Sequence, residues 1–137
     1  MSKIIEKEWK DGDFKCKVLF KPMGHRCGYV GVPKGHHMYG LNYEEYIDEI
    51  DCHGGLTYSG FLGEENKEYW YFGFDCAHFG DGIDIKALRK YGFKREVDII
   101  KKQELILGSL IELEEPFKTQ EFCEEQCHSI VEQIKQL

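Results

Sequence analysis

The segment 68–74 constrains the fold of this chain more than any other part of the sequence. It reads Glu-Tyr-Trp-Tyr-Phe-Gly-Phe, so large rings alternate between the two sides of an extended backbone. Period-two alternation of this kind predicts a β-strand with an apolar face and a tyrosine face. The apolar face consists of Trp70, Phe72 and Phe74. The tyrosine face consists of Tyr69, Tyr71 and Gly73. We expect the apolar face to form the core.

Further strands are predicted on the N-terminal side of this segment. Residues 14–20 alternate with one buried face, and residues 26–32 follow a turn at Pro22-Met23-Gly24, so the two segments predict a hairpin. Shorter strands are predicted at 47–52 and at 56–62, the second one pairing with 68–74 through a polar loop. Residues 1–13 are charged and mixed, and we expect a frayed end there.

Three polar residues mark the beginnings of helices. Asn42 predicts a single helical turn over 43–46, and Asp84 predicts a short helix that Gly92 ends. Thr119 precedes a long amphipathic helix, whose apolar stripe consists of Phe122, Cys123, Cys127, Ile130, Val131, Ile134 and Leu137. Residues 94–115 are ambiguous, and we expect helix at their start and strand near 105–113.

The order of elements, mostly strands first and then helices, predicts an α+β fold. We expect an antiparallel β-sheet of hairpins with the C-terminal amphipathic helix packed on one face. A length of 137 residues fits a single domain, 1–137, with a core of useful size.

Composition excludes some classes of partner. A net charge of -7 disfavours binding to nucleic acid, which normally needs a basic face, but it permits a small anionic ligand held locally. The sequence has neither a basic-then-apolar leader nor an apolar run long enough to span a bilayer, so we expect a cytoplasmic protein without a membrane partner. The 6 cysteines include no Cys-x-x-Cys pair, which favours reduced thiols over disulfides or structural zinc.

The loop after the aromatic strand is dense in ionisable residues. Asp75, His78 and Asp81 follow one another at steps of three, and their like charges need an offsetting partner. A cation, a cationic ligand group or backbone N–H groups would provide it. The alternative is structural, with Asp75 and Asp81 in Asx-turns and Asp84 as a helix cap.

A second histidine is predicted to approach this loop. His53 precedes Gly54-Gly55, and the pairing of 56–62 with 68–74 brings that turn toward the end of the sheet that holds Asp75 and His78. If the protein is an enzyme, His53, Asp75 and His78 are the candidate acid–base residues. We predict no obligatory cofactor, although His53, Asp75, His78 and Asp81 could together hold a metal ion. Alternatively, His53 is a turn residue.

A tyrosine surface beside the Gly-Gly turn suits a ring-shaped ligand. Tyr69 and Tyr71 lie across the predicted hairpin from Thr57 and Tyr58, and Arg26 is suited to holding a phosphate. Strand alternation sends Cys76 to the core, which disfavours it as a nucleophile. The candidate ligand-binding residues are His53, Gly54, Gly55, Thr57, Tyr58, Tyr69, Tyr71, Asp75, His78, Asp81 and Arg26.

Three motifs carry a resemblance to a known group of proteins. Residues 27–36 (CGYVGVPKGH), 53–60 (HGGLTYSG) and 73–81 (GFDCAHFGD) resemble a family of small bacteriophage and prophage proteins of uncharacterised function. Residues 94–118 depart from the shorter members and look like a family-variable insertion. The resemblance implies a phage origin, and small accessory phage proteins often sequester or degrade the nucleotide signals of bacterial immunity.

These observations lead to three functional hypotheses. The first is a module that binds a small polar, nucleotide-derived ligand and sequesters an immune signal. The second is a hydrolase that degrades such a signal, and it would be metal-dependent if the His/Asp set above holds an ion. The third is an inhibitor that binds a host protein through the acidic C-terminal helix. A homo-oligomer is compatible with each, because a single chain of this size offers limited concavity.

Overall fold

A five-stranded antiparallel sheet forms the centre of the computed structural model, which describes residues 3–63, 67–77, 82–107 and 117–137. The strands are β1 (Ile4–Asp11), β2 (Phe14–Phe20), β3 (Arg26–Pro33), β4 (Tyr58–Gly60) and β5 (Tyr69–Asp75). Their order is β1-β2-β3-β5-β4, and every neighbouring pair is antiparallel. The α+β class with an antiparallel sheet is therefore confirmed.

Three α-helices and a 3₁₀ turn accompany the sheet within these described ranges. They are the 3₁₀ turn Tyr43–Tyr46, α1 (Ile85–Lys90), α2 (Lys94–Leu107) and α3 (Gln120–Lys135). The three predicted caps are confirmed, because the side chains of Asn42, Asp84 and Thr119 accept hydrogen bonds from the backbone N–H groups of Glu44, Ala87 and Phe122. No described helix is long and apolar enough to cross a membrane.

One face of the sheet, the helix side, carries the main core. The apolar stripe of α3 packs on β2 and β3, as the 3.6-residue period predicts, and Val30 and Phe72 are fully buried beneath it. A second cluster on the same side joins Phe20 to Leu88 of α1 and Ile100 of α2. The C-terminal helix thus covers one face, as predicted.

The opposite face, here called the tyrosine face, is built from the other half of each strand. Its buried residues are Leu19, Cys27, Tyr29, Tyr69 and Tyr71, with Tyr58 and Leu62 packed against them. Within the described residues, no helix contributes to this cluster. The alternation predicted for residues 68–74 is confirmed on both faces of β5.

Several local predictions are corrected. Residues 4–11 form β1 rather than a frayed end, residues 47–52 form turns rather than a strand, and the strand expected at 56–62 is limited to Tyr58–Gly60. Residues 105–107 belong to α2 and not to a strand, whereas 108–113 lie outside the described residues. The charges of β1 hid its extended conformation, since a strand at a sheet edge tolerates polar side chains on both faces.

Candidate ligand-binding site

A buried charge network lies at the end of the sheet where β3 begins. Arg26 is 6% exposed, and its Nε and Nη2 donate to the two carboxylate oxygens of Glu6 at 2.6 and 3.1 Å. Its Nη1 lies 2.9 Å from Oδ2 of Asp84 and donates to the carbonyl oxygen of Lys118 at 3.0 Å. A guanidinium held in this bidentate way has one fixed orientation.

A bulge in β1 delivers the main partner of Arg26. The β1–β2 register shifts between Ile5 and Lys7, so Glu6 is the extra residue. Bulges re-aim side chains, and this one sends the Glu6 carboxylate into the interior, where its side chain is 2% exposed. Oε2 of Glu6 also accepts a hydrogen bond from the hydroxyl of Tyr91 at 2.6 Å. The network therefore links β1, β3 and α1.

The network fixes the protonation states of Arg26 and Tyr91. Burial alone would lower the pKa of Arg26, but the hydrogen bonds and charges of Glu6 and Asp84 outweigh it and raise that pKa. Burial, together with the hydrogen bond to Glu6, raises the pKa of Tyr91 to about 12. Arg26 is consequently a permanent cation and Tyr91 a permanent hydroxyl donor near neutral pH.

A cavity of about 270 Å³ opens above this network. The network forms its floor, while the remaining walls come from α1 and from the start of α3. Its lining residues are Glu6, Arg26, Asp84, Lys86, Ala87, Lys90, Tyr91, Phe117, Thr119, Gln120 and Glu121. The volume lies just below the roughly 300–1,000 Å³ that is usual for small-molecule sites, so the cavity suits a small ligand or part of a larger one.

Two lysines stand at the rim of this cavity. Lys86 and Lys90 are exposed and one helical turn apart on α1, so both reach the same opening. Lys90 Nζ lies 5.5 Å from the centre of the Tyr91 ring, and neither lysine forms an ion pair within the described residues. They can accept an anionic group, whereas Arg26 is already neutralised. The expectation that Arg26 offers a free phosphate fork is therefore corrected.

The Gly-Gly turn lies at the same end of the sheet. Gly54 and Gly55 have φ values of 70° and 80°, which explains why glycine is needed at both positions. The His53 ring packs edge-on against Phe122 of α3 with centroids 5.4 Å apart, and its backbone N–H donates to Gln126. Thr57 N–H donates to the carbonyl of Gly73. These contacts tie the turn to α3 and β5.

Asp75 ends β5 close to that turn. Its Oδ1 accepts a hydrogen bond from the backbone N–H of Ala77 at 3.1 Å, which is the Asx-turn given as the structural alternative. The adjacent Cys76 is buried, with its Sγ 3.8 Å from Sγ of Cys123, so its assignment to the core is confirmed. His78 and Asp81 lie outside the described residues, and their part in catalysis, ligand binding or metal binding stays a prediction.

The tyrosines of β5 differ from what the sequence suggests. Tyr69 is 8% exposed and Tyr71 fully buried, and lysine side chains from β1 and β2 lie over their rings. Tyr58 packs edge-on against Tyr29 and donates its hydroxyl to the carbonyl of Phe61. The expected exposed stacking surface is therefore corrected to a covered one.

Metal binding gains no support from the described part of the chain. No group of three or more His, Cys, Asp or Glu side chains is close enough there to hold a metal ion. All 6 cysteines are free thiols, and burial is the main reason that the pKa of Cys52 rises to about 11. The predicted metal set includes His78 and Asp81 and is not decided by these residues.

Of the residues that line the cavity, sequence reasoning identified only Arg26 as a ligand-binding residue. The polar residues that it missed include Glu6, Lys86, Lys90 and Tyr91. The four-residue spacing of the lysines on a predicted helix was visible, but the bulge that turns Glu6 inward left no sequence signal. No family model matches the chain, and neither a curated protein nor a solved structure is significantly similar to it. Function has to be inferred from the residues and geometry of the chain itself.

Proposed function

We propose that this chain binds a small polar, nucleotide-derived ligand in the cavity above Arg26. The observation that carries the proposal is a cavity with a buried, fixed charge network as its floor and two lysines at its rim. A floor of this kind presents hydrogen-bonding groups in one arrangement, so it selects a ligand by polar complementarity rather than by apolar area.

The charges around the cavity match a ligand that is both anionic and rich in donors. The lining contains equal numbers of acidic and basic side chains. The acidic ones are Glu6, Asp84 and Glu121, and the basic ones are Arg26, Lys86 and Lys90. The rim lysines suit a phosphate, and the N-terminal turn of α3 adds a favourable field. The carboxylates suit the amino and hydroxyl groups of a base and a ribose, while Tyr91 and Phe117 offer ring faces.

Sequestration of an immune signal follows from the resemblance to phage proteins. A protein that binds a nucleotide signal tightly without altering it lowers the free concentration of that signal. The alternative is a hydrolase that uses His53, Asp75 and His78. Both activities are compatible with a net acidic protein, since the ligand is small and held locally.

The test is incubation with a panel of mononucleotides, cyclic dinucleotides, cyclic oligonucleotides and ADP-ribose derivatives, followed by heat denaturation and analysis of the released molecules. Intact ligand released by heat supports sequestration, and altered products support hydrolysis. Failure to bind or alter any member of the panel contradicts both and leaves the inhibitor of a host protein.

Variants then locate the site. Lys86→Ala/Lys90→Ala should weaken binding about a hundredfold, since each charged hydrogen bond contributes about 1.5 kcal/mol. The matched control is Lys94→Ala/Lys102→Ala, which removes two exposed lysines of α2 away from the cavity. Equal affinity in the two double variants would rule out the cavity. For hydrolysis, His53→Ala and Asp75→Ala should abolish product formation, and elemental analysis of wild type and His78→Ala would detect a bound metal.

A further inference from the structure

The outer edge of β1 is the feature that the proposed ligand site does not use. β1 lies at one end of the strand order and pairs with β2 on one side, and its other side is unpaired within the described residues. A strand of 8 residues with an open edge is a template for another strand. We propose that a second copy of this chain pairs with it, forming a symmetric homodimer through antiparallel β1 strands.

The faces of β1 restrict which registers are allowed. Lys7, Trp9 and Asp11 lie opposite Val18, Cys16 and Phe14, which places them on the helix side. Glu8 and Lys10 lie opposite Lys17 and Lys15, on the tyrosine face. In a dimer with its two-fold axis perpendicular to the sheet, residues that pair must share a face. The axis must then lie at a residue that pairs with its own copy in the partner. An axis between two successive residues would pair side chains from opposite faces.

Charge selects one register among those that remain. An axis at Glu8 sets two carboxylates opposite each other, and an axis at Lys7 or Lys10 sets two ammonium groups opposite each other, which is unfavourable. An axis at Trp9 pairs Lys7 with the partner's Asp11, Glu8 with the partner's Lys10, and Trp9 with the partner's Trp9. Every charged pair is then of opposite sign, on both faces. The segment from 7 to 11 is therefore complementary to itself.

A groove beside Trp9 provides space for the partner's ring. It has a volume of about 310 Å³ and is lined by Lys7, Trp9, Glu124, Glu125 and His128. Trp9 is half-buried against the core, with Lys7 Nζ 5.3 Å from the centre of its ring. Two tryptophans facing each other across the axis would fill the two grooves. Aromatic cross-strand pairs are among those that stabilise a sheet.

The present partners of Lys7 and Asp11 do not oppose the pairing. Lys7 binds Glu124 at 2.7 Å, and Asp11 lies 3.4 Å from His128, whose side chain is 68% exposed. Exposed ion pairs of this kind contribute little, so sharing or exchanging them costs little. The bulge at Glu6 and the turn after Asp11 limit the paired segment at its two ends.

The test is the mass of the protein in solution, measured by light scattering or sedimentation over a wide range of concentration. Wild type should show a concentration-dependent dimer. Lys7→Asp should weaken it about tenfold or more, because two attractive pairs become repulsive, and Asp11→Lys should do the same. Lys7→Asp/Asp11→Lys restores opposite charges in every pair and should restore the dimer. Trp9→Ala should weaken it by a similar factor.

The matched control is Lys135→Asp, which makes the same charge change on α3 away from β1. It should leave the dissociation constant unchanged, and circular dichroism should show each variant folded. A protein that is monomeric at all concentrations overturns the proposal. A dimer that responds equally to Lys135→Asp, or one that the double reversal fails to restore, overturns the register through Trp9.

Discussion

Tyr71 and Phe72 are neighbours on β5, both are 0% exposed, and they point to opposite faces of the sheet. Phe72 lies in the core cluster that includes the apolar stripe of α3, and the ring of Tyr46, from the 3₁₀ turn, packs edge-on against it. Tyr71 is covered by Lys17, whose Nζ lies 5.1 Å from the centre of its ring. Among the described residues, a layer of helix covers one face, whereas side chains of the sheet itself and of an adjoining loop residue, Leu62, pack on the other.

Within the part of the chain that the structure describes, β5 is buried on both faces although a helix packs on only one of them. Lysine stems are apolar along most of their length and can cover a ring while the ammonium group meets water or a carboxylate. On the tyrosine face, Lys17 does so while its Nζ lies 3.3 Å from Glu8. Burial on that face therefore depends on charged residues and should respond to substitution differently from burial on the helix side.

The largest expected effect on stability comes from replacing Phe72 or Tyr71 by alanine. Phe72→Ala should lower the free energy of unfolding by about 3–5 kcal/mol, since it leaves a cavity beneath a packed helix. Tyr71→Ala should cost less, because lysine side chains and water can occupy the vacated space. Urea denaturation of both variants measures the difference. Equal losses would contradict the distinction between the two faces.

Two glycines, one on each face, allow the same comparison of the two faces through substitutions that add a methyl group. A Cβ at Gly28 would lie 2.4 Å from the Phe74 ring and 3.0 Å from Sγ of Cys127, whereas one at Gly73 would lie 2.6 Å from the Tyr29 ring. Overpacking costs about 1–3 kcal/mol, and Gly28→Ala should fall at the upper end because α3 holds both neighbours in place. Gly73→Ala should fall at the lower end.

A double-variant cycle checks the cause assigned to Gly73. If the Tyr29 ring is the obstacle, Gly73→Ala should cost less in a Tyr29→Ala background than in wild type. An unchanged cost would place the strain elsewhere. Thermal or urea unfolding of the four proteins gives the coupling directly.

Sequence periodicity was sufficient to predict this two-faced sheet. Alternation in β2 and β5 is strict, and the caps at Asp84 and Thr119 follow from local side-chain chemistry, so these features needed no tertiary information. The sequence could not reveal β1, because charged residues at an edge resemble a polar tail. It also could not reveal how Tyr69 and Tyr71 are covered, since that depends on which lysines the strand register sets beside them.

The candidate site was only partly predictable for a related reason. Arg26 was identified as the best phosphate ligand by type, but its true partners come from a bulge in β1 and from the cap of α1. Long-range pairing of this kind is decided by register and not by local composition. The Gly-Gly turn, by contrast, was placed correctly, because two glycines with positive φ are a local requirement.

A smaller effect should follow from uncovering Tyr71. Lys17→Ala removes the stem over the ring and the ion pair with Glu8, and should cost about 1–2 kcal/mol. Lys17→Met keeps most of the stem and loses only the charge, so it should recover the larger part of that loss. If Met behaves as Ala does, the charge and not the stem stabilises the tyrosine face.

The smallest expected effect is a dependence on pH confined to the helix side. Burial, and then the neighbouring charge of His37, lowers the pKa of His36 below its ordinary value of 6.5. The unfolded chain therefore binds this proton more readily than the folded chain. The stability contributed by neutral His36 is fully present above 6.5, and it is lost as the pH falls through that value toward the folded pKa.

The contacts of His36 indicate which part of the fold should lose stability at acidic pH. Its Nδ1 accepts a hydrogen bond from the buried Met38 N–H at 3.1 Å, which protonation abolishes, and its ring packs edge-on against Phe14 of the helix-side core. His36→Gln should flatten the fall in unfolding free energy below pH 6.5 relative to wild type. Amide exchange should quicken around Met38 and not around Tyr71. An equal response of the two faces would mean that the acid-sensitive group lies elsewhere.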